Sequence, residues 1–354
     1  YTSELLKALG AWRQQVELTL LTGSKWGGES KSQVALLPGC RLLPGLVTLG
    51  NVWLPILARR RGLDLVHDPT GVTPFLFGAG GARTVVTVHD VFAWSCPGHS
   101  TWLDTLIYRH WLPRLLPRVQ VVITDSHASK ADIERYLSMP PAKIRVVYPG
   151  VSASYHPVCG DRATHTVAQY GLPKGYLLFV GSVEERKNLR RLLQACGSLW
   201  RHGERRPLVV VGALKWKYSG IMQTVEELDL GQHIIFTGHV QEADLPALYS
   251  AADLLIFPSL YEGFGLPPLE AMACGTPVVC SDAASLPEVV GDAAVMVDPY
   301  EVEALAEAMH HVLTDEQLRE ELRQKGLSRA RQFTWERTAR QIIAVYREAL
   351  SCKR

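Results

Sequence analysis

Two doubly wound α/β domains are predicted for this 354-residue chain, and three observations predict them. The second half repeats one unit: apolar runs at 176–180, 208–211, 233–237 and 253–258 empty into the tips Gly181, Gly212, Gly238 and Ser259, with helical stretches between. That is βαβ winding, and it gives a parallel sheet whose carboxyl edge gathers the tips at one place. The first half carries shorter apolar runs of the same kind. Between the halves, residues 151–160 hold Pro157 and Gly160 without apolar periodicity and read as a linker. The length suffices for two cores of ordinary size.

The elements follow in order. The chain opens on a helix with Ser3 as cap, Leu5, Leu6 and Leu9 inside and Gly10 as stop. Residues 16–21 condense into a strand. A doubly wound domain normally starts on a strand, so the first strand reads as missing. Two further runs, 63–66 and 84–88, end in the polar tips His67-Asp68 and His89-Asp90, where ligands of open α/β sheets sit. His67 reads as an ordinary hydrogen-bonded loop residue. Residues 119–124 form a buried strand, followed by a helix to about Leu137 with Ser126 as N-cap. Residues 144–148 close the half, and Pro149-Gly150 break them. Beyond the repeat, 278–280 and 294–297 extend the second sheet, the tail from Glu301 is helical, and residues 333–336 start a last helix with Ile342, Ile343 and Tyr346 on one face. The domains therefore span 1–156 and 157–335.

The tip after the run 253–257 carries the chemistry. Gly263 and Gly265 make a turn, a helix opens at Pro267-Pro268, and Gly275 suits a left-handed stop. Helix N-termini present unpaired N–H groups and partial positive charge, which receive an anion such as phosphate. Glu262 and Glu270 bracket this turn. A carboxylate repels phosphate, so the two face neutral donors such as sugar hydroxyls. The plainer reading is a strand-turn-helix with two solvated glutamates. The whole run Glu-Gly-Phe-Gly-Leu-Pro-Pro-Leu-Glu-Ala-Met-Ala-Cys-Gly-Thr-Pro-Val-Val, from Glu262 to Val279, resembles the signature of the family-four retaining glycosyltransferases.

That resemblance implies the GT-B architecture, two Rossmann-like domains facing across a cleft, with the last helix, 336–354, returning to the first domain. It implies that Glu262 and Glu270 contact the donor sugar and the nucleotide ribose. Gly181-Ser182-Val183-Glu184-Glu185-Arg186-Lys187-Asn188 resembles the family variant in which an adjacent Arg-Lys pair meets the diphosphate, although Ser182 stands where the usual form has arginine. Cations there stabilise the charge that grows as the glycosidic bond breaks. The match Val-Thr-Val-His-Asp puts His89 opposite the donor sugar. Ser259 and the N–H groups of Phe264, Gly265 and Leu266 complete the phosphate cradle, and Gly238, His239 and Val240 hold the base by backbone groups. The resemblance implies a donor substrate, not a cofactor: a nucleoside-diphosphate hexose, GDP-mannose preferred on the Glu-Arg-Lys-Asn variant. It implies transfer to a glycan or lipid-linked acceptor with retention, without metal. A nucleotide-sugar epimerase or a non-catalytic nucleotide-binding relative on the same fold stays open.

Composition agrees with a globular chain, 47% hydrophobic and 20% charged. No run approaches the eighteen apolar residues of a membrane span, and no signal peptide is visible. Seven scattered cysteines show no metal or disulfide spacing and imply a reducing cytoplasm. The net charge of +2 is uneven: residues 1–160 hold 16 Lys and Arg against 10 Asp and Glu. This basic half, with Arg59-Arg60-Arg61 and the cluster Arg109, His110, Arg114 and Arg118, implies peripheral contact with an anionic membrane, and nothing points to nucleic acid.

Overall fold

The computed structural model describes residues 1–12, 14–22, 33–36, 48–72, 74–95, 105–213 and 219–351. The chain forms two compact units, Tyr1–Gly150 with Thr334–Arg354, and Val151–Phe333. The divisions thus fall at 150 and 333, a few residues before the expected 156 and 335. The reason is local. Gly150 packs against the backbone of Trp335, while Val151 N–H donates to Phe333 O at 3.0 Å and ties the two ends of the second unit together.

In the first unit the strands β1 (Thr19–Thr22) and β2 (Gln33–Leu36) pair in parallel. The strands β3 (Leu65–Asp68), β4 (Arg83–Thr87), β5 (Val121–Thr124) and β6 (Ile144–Val146) form a parallel sheet in that order. The central strands β4 and β5 are buried on both faces, which is why they hold apolar runs, whereas the edge strand β3 alternates in burial and ends in His67-Asp68. Val86 and Val122 face Leu54, Ala58 and Ile133 of the helices Gly50–Arg61 and His127–Leu137. Val85, Val121 and Ile123 face Leu5 and Leu9 of the helix Thr2–Gly10 and Ala339, Ile342 and Ile343 of the helix Trp335–Ser351, so the last helix completes this unit. Ser126 Oγ accepts from Ser129 N–H at 2.9 Å, the expected cap. Ser3 is no cap: the first helix starts at Thr2, its N-cap is Tyr1, and Gly10 lies within its last turn. His67 lies on β3 and not in a loop, with Tyr346 Oη at 2.7 Å on Nδ1 and Thr87 Oγ1 at 2.8 Å on Nε2. Burial, with the charge of His89 nearby, lowers its pKa to about 3, as a neutral core histidine requires. Among the described residues β1 does not pair with β3. A groove of about 660 Å³ is lined by both strands, with Leu5, Leu9, Ile343 and Tyr346.

In the second unit β7 (Leu177–Val180), β8 (Leu208–Val211), β9 (Ile234–Gly238), β10 (Leu254–Phe257), β11 (Val278–Ser281) and β12 (Val295–Val297) form one parallel sheet in the order β12-β11-β10-β7-β8-β9. The chain winds outward from β7 to β9, then returns to pair β10 on the other side of β7, in the register Leu254↔Leu177. The loops after β7 and β10 therefore leave the sheet side by side at the point where the winding reverses, the place at which an open α/β sheet has its crevice. Phe179, Val210 and Ile256 on one face pack against Leu189, Leu193, Met309 and Val312. The tips are stitched by backbone bonds, Gly181 N–H to Val211 O and Gly212 N–H to Gly238 O, both 2.9 Å. Gly212 has φ +145, and a Cβ there would lie 2.0 Å from Gly181 O, so this approach requires glycine. No described helix of either unit is long and apolar enough to cross a membrane.

Candidate functional site

The loop after β7 makes a short turn over Glu185–Lys187 and then places Asn188 in the left-handed region, at φ 58 and ψ 29. Asparagine tolerates that conformation, and here its side chain uses it. Asn188 Nδ2 donates to Pro258 O at 3.0 Å and to Pro299 O at 2.7 Å, and Leu260 N–H donates to Arg186 O at 2.9 Å. The β7 and β10 loops are thus fastened to each other. This brings together residues 75 apart in sequence, Lys187 Nζ lying 2.7 Å from Glu262 Oε1, and Arg186 Nη1 also lies 3.2 Å from Glu262 Oε2. Arg186 also donates to Tyr261 O at 2.9 Å, and Lys187 sits 4.8 Å over the Phe257 ring.

Lys187 and Glu262 are both buried, 7% and 8% exposed. Burial alone raises the Glu262 carboxyl, but the Lys187 ammonium and the Arg186 guanidinium outweigh it and hold the group below the ordinary carboxylate range. Glu262 is therefore a fixed anion between two fixed cations. Such a cluster offers positive charge to a diphosphate and a carboxylate to a hydroxyl donor at one place.

The turn behind Glu262 is held by Ser285, whose hydroxyl bonds to Glu262 O at 3.0 Å and Phe264 O at 2.6 Å. Phe264 packs edge-on against Phe333 at 5.8 Å. Gly265 takes φ +111, and the helix begins at Leu266, one residue before the expected start, and runs to Ala273 with prolines in its first turn. Gly275, at φ +79, follows its end as expected. Gly263 is buried in the turn, Gly181 lies against the Lys187 side chain, and Ser259 is fully buried with its carbonyl accepting from Ser281 Oγ. At the β9 tip Gly238 O is taken by Gly212, His239 is exposed and Val240 is buried.

Glu270 stands apart from the cluster, in the middle of the helix Leu266–Ala273. Tyr249 Oη donates to its Oε2 at 2.9 Å, Tyr155 also bonds it, and the two tyrosine rings lie 6.0 Å apart. Burial raises the carboxyl to about 7, the tyrosine donors oppose that rise, and the Glu242 charge adds to it. Because the folded value lies above the reference 4.5, the unfolded chain ionises first, and the stability held below pH 4.5 is lost as pH rises to about 7. Thermal melts across that window should show wild type losing up to ~3 kcal/mol relative to Glu270→Gln. Parallel curves for the two proteins would show that Glu270 titrates normally.

His89 belongs to the first unit, two residues beyond β4. Its Nδ1 lies 2.6 Å from Asp125 Oδ2 and its Nε2 3.0 Å from Pro69 O, so both nitrogens face acceptors. Burial lowers its pKa, the Asp125 carboxylate raises it more, and the result lies above the ordinary histidine value. Sequence reasoning missed Asp125, Tyr155, Tyr249 and the Asn188 bridge. Asp125 alone carried a signal, since it follows β5, the strand paired with the β4 that His89 follows.

Two family models match the chain: Glycosyltransferase Family 4 over residues 1–155 and Glycosyl transferases group 1 over residues 166–329. O-antigen chain mannosyltransferase B of Escherichia coli is 34% identical, covering 98% of this chain and 94% of that protein. The chain belongs to the family-four, group 1 glycosyltransferases. Among solved structures, the sucrose-phosphate synthase of Thermosynechococcus elongatus matches with a TM-score of 0.79 at 23% identity, covering 100% of this chain and 93% of that one. Anabaena HepE, solved in complex with UDP-glucose, matches at 0.78 and 19% identity over 98% and 95%. Likeness at this identity shows the fold, which is GT-B. In this glycosyltransferase the cluster Arg186, Lys187 and Glu262 stands at the winding reversal of the group 1 domain.

Proposed function

We propose that the protein transfers a hexose, preferably mannose, from a nucleoside-diphosphate sugar, preferably GDP-linked, to a glycan or lipid-linked acceptor, with retention and without a metal. The observation that carries this reading is the triad of half-buried Arg186 with buried Lys187 and Glu262 where the winding reverses. The two cations take the diphosphate, and Glu262 and Glu270 accept from sugar and ribose hydroxyls. As the glycosidic bond breaks, its electron pair passes to the phosphate oxygen, where Arg186 and Lys187 stabilise the added charge. The acceptor oxygen bonds to the anomeric carbon on the same face, and its proton passes to the departing phosphate. The cations supply the neutralisation a metal would otherwise bring. The E. coli relative, by its name an O-antigen chain mannosyltransferase, supports mannose, while UDP-glucose in HepE supports only the general donor class.

Calorimetric titration tests the donor. GDP-mannose and GDP are expected to bind more tightly than the UDP- and ADP-sugars and their diphosphates. A clear UDP or ADP preference would overturn the mannose assignment, and no binding by any of them would overturn the donor site.

A further inference from the structure

Glu270 is reached by two tyrosines from separate parts of the second unit. Tyr249 comes from the helix Leu245–Ala251, and Tyr155 from the segment that opens the unit. Tyr249 is fully buried and Tyr155 is buried, whereas Glu270 itself is only half-buried. A buried phenol must place its O–H. Tyr249 Oη donates to Glu270 Oε2 at 2.9 Å, and Tyr155 bonds the same carboxyl. Burial and the Glu270 charge push both phenols above the ordinary tyrosine value, so each stays protonated and donates.

Neither tyrosine swings freely. Thr276 Oγ1 donates to Tyr249 O at 2.6 Å, and the neighbouring Ser250 Oγ accepts from Val158 N–H at 3.0 Å, which ties the chain just beyond Tyr155 to the same helix. The two rings meet edge to face, their centroids 6.0 Å apart and their planes at 61°. An ionised carboxylate offers about four lone-pair sites, and two phenols leave about two of them for a ligand. Two is the number that the adjacent 2′- and 3′-hydroxyls of a ribose need.

We propose that Tyr155 and Tyr249 are positioning residues for the sugar of the nucleotide: they turn the Glu270 carboxylate so that its remaining lone pairs meet the 2′- and 3′-hydroxyls, and thereby set a preference for ribose over deoxyribose. The proposal rests on the reading above in which Glu270 accepts from ribose hydroxyls. Calorimetric titration with GDP and 2′-deoxy-GDP, and with UDP and 2′-deoxy-UDP beside them, tests it at about pH 8, above the Glu270 value of about 7. Wild type should bind the ribonucleotide about tenfold more tightly than its deoxy form, the worth of one hydrogen bond to a charged group. Tyr249→Phe and Tyr155→Phe keep both rings and should each lower that ratio to roughly threefold, and Glu270→Gln should bring it near one. In the tyrosine variants the Michaelis constant of the donor should rise more than turnover falls, because the ribose does not change as the bond breaks. Tyr176→Phe is the control: Tyr176 is also fully buried, but its Oη donates to Leu248 O at 2.7 Å, so its loss should cost stability and leave the ratio as it was. A wild type that does not discriminate, or a Glu270→Gln variant that still does, would overturn the ribose reading and the proposal with it. Discrimination that depends on Glu270 but survives both phenylalanines would overturn the proposal alone. So would an equal loss in Tyr176→Phe, which would mean general loosening of the unit.

Discussion

Replacing Lys187 with alanine is expected to lower turnover about a hundredfold, some 3 kcal/mol of transition-state stabilisation, while weakening donor binding less. The ammonium is poised before any ligand arrives: it is buried, 2.7 Å from Glu262 and over the Phe257 ring, on a turn that Asn188 fastens from the next position. A charge fixed in advance helps most where charge grows, and charge grows on the diphosphate only as the bond breaks. Lys187→Arg should not restore the rate, because a planar fork does not fit the space of a compact ammonium. Single-turnover rates set beside calorimetric affinities separate the two effects. Full turnover in the alanine variant, with nucleotide bound as before, would place the phosphate elsewhere.

Replacing Glu262 with alanine is expected to be the most destabilising single change at the site. It leaves Lys187 and Arg186, with side chains 9% and 16% exposed, facing each other without their shared carboxylate. Removing one partner of a buried ion cluster typically costs ~3–5 kcal/mol, because the remaining charge stays desolvated. A nucleoside diphosphate should return part of that loss, since its phosphates meet both cations. The variant's melting temperature should therefore rise more on adding GDP than wild type's. The pH dependence has a definite sign. The folded Glu262 carboxyl lies below its reference value of 4.5, so its contribution is present above pH 4.5 and disappears as pH falls through the lower folded value. The gap between wild type and variant should close in acid. Equal melting and equal ligand shifts in the two proteins would show that the carboxylate is not what holds the cations.

The sheets were readable because buried parallel strands must be apolar on both faces, so 177–180, 208–211 and 254–257 stand out as runs. The run from Glu262 to Val279 was readable for another reason: a strand, a glycine turn and a proline-started helix each leave a residue type at a fixed place. What was not readable depends on side chains meeting across long stretches of chain. Nothing near Glu270 announces Tyr249, and while the shared carboxyl edge puts Lys187 toward the Glu262 turn, only the order β10-β7 makes the two side chains direct partners. Ser3 looked like a cap because its residue type suits one, but the first turn forms around Tyr1, whose carbonyl accepts from Leu5 N–H at 2.9 Å. The helix Gly50–Arg61 escaped pattern reading because it is apolar on both sides and so lacks the polar face that would mark its orientation.

The side chain of Asn188 joins three loops, those after β7, β10 and β12, through two carbonyls it does not share with water. Loops tied in this way do not open one at a time. The amide's two bonds act with the Leu260 N–H bond to Arg186 O and the ion pairs to Glu262, so Arg186-Lys187, the Pro258 turn and the Pro299 turn are expected to open as one cooperative unit of local unfolding. The cations and the carboxylate of the cluster thus share the ties that order them, and Asn188→Ala is expected to loosen them together.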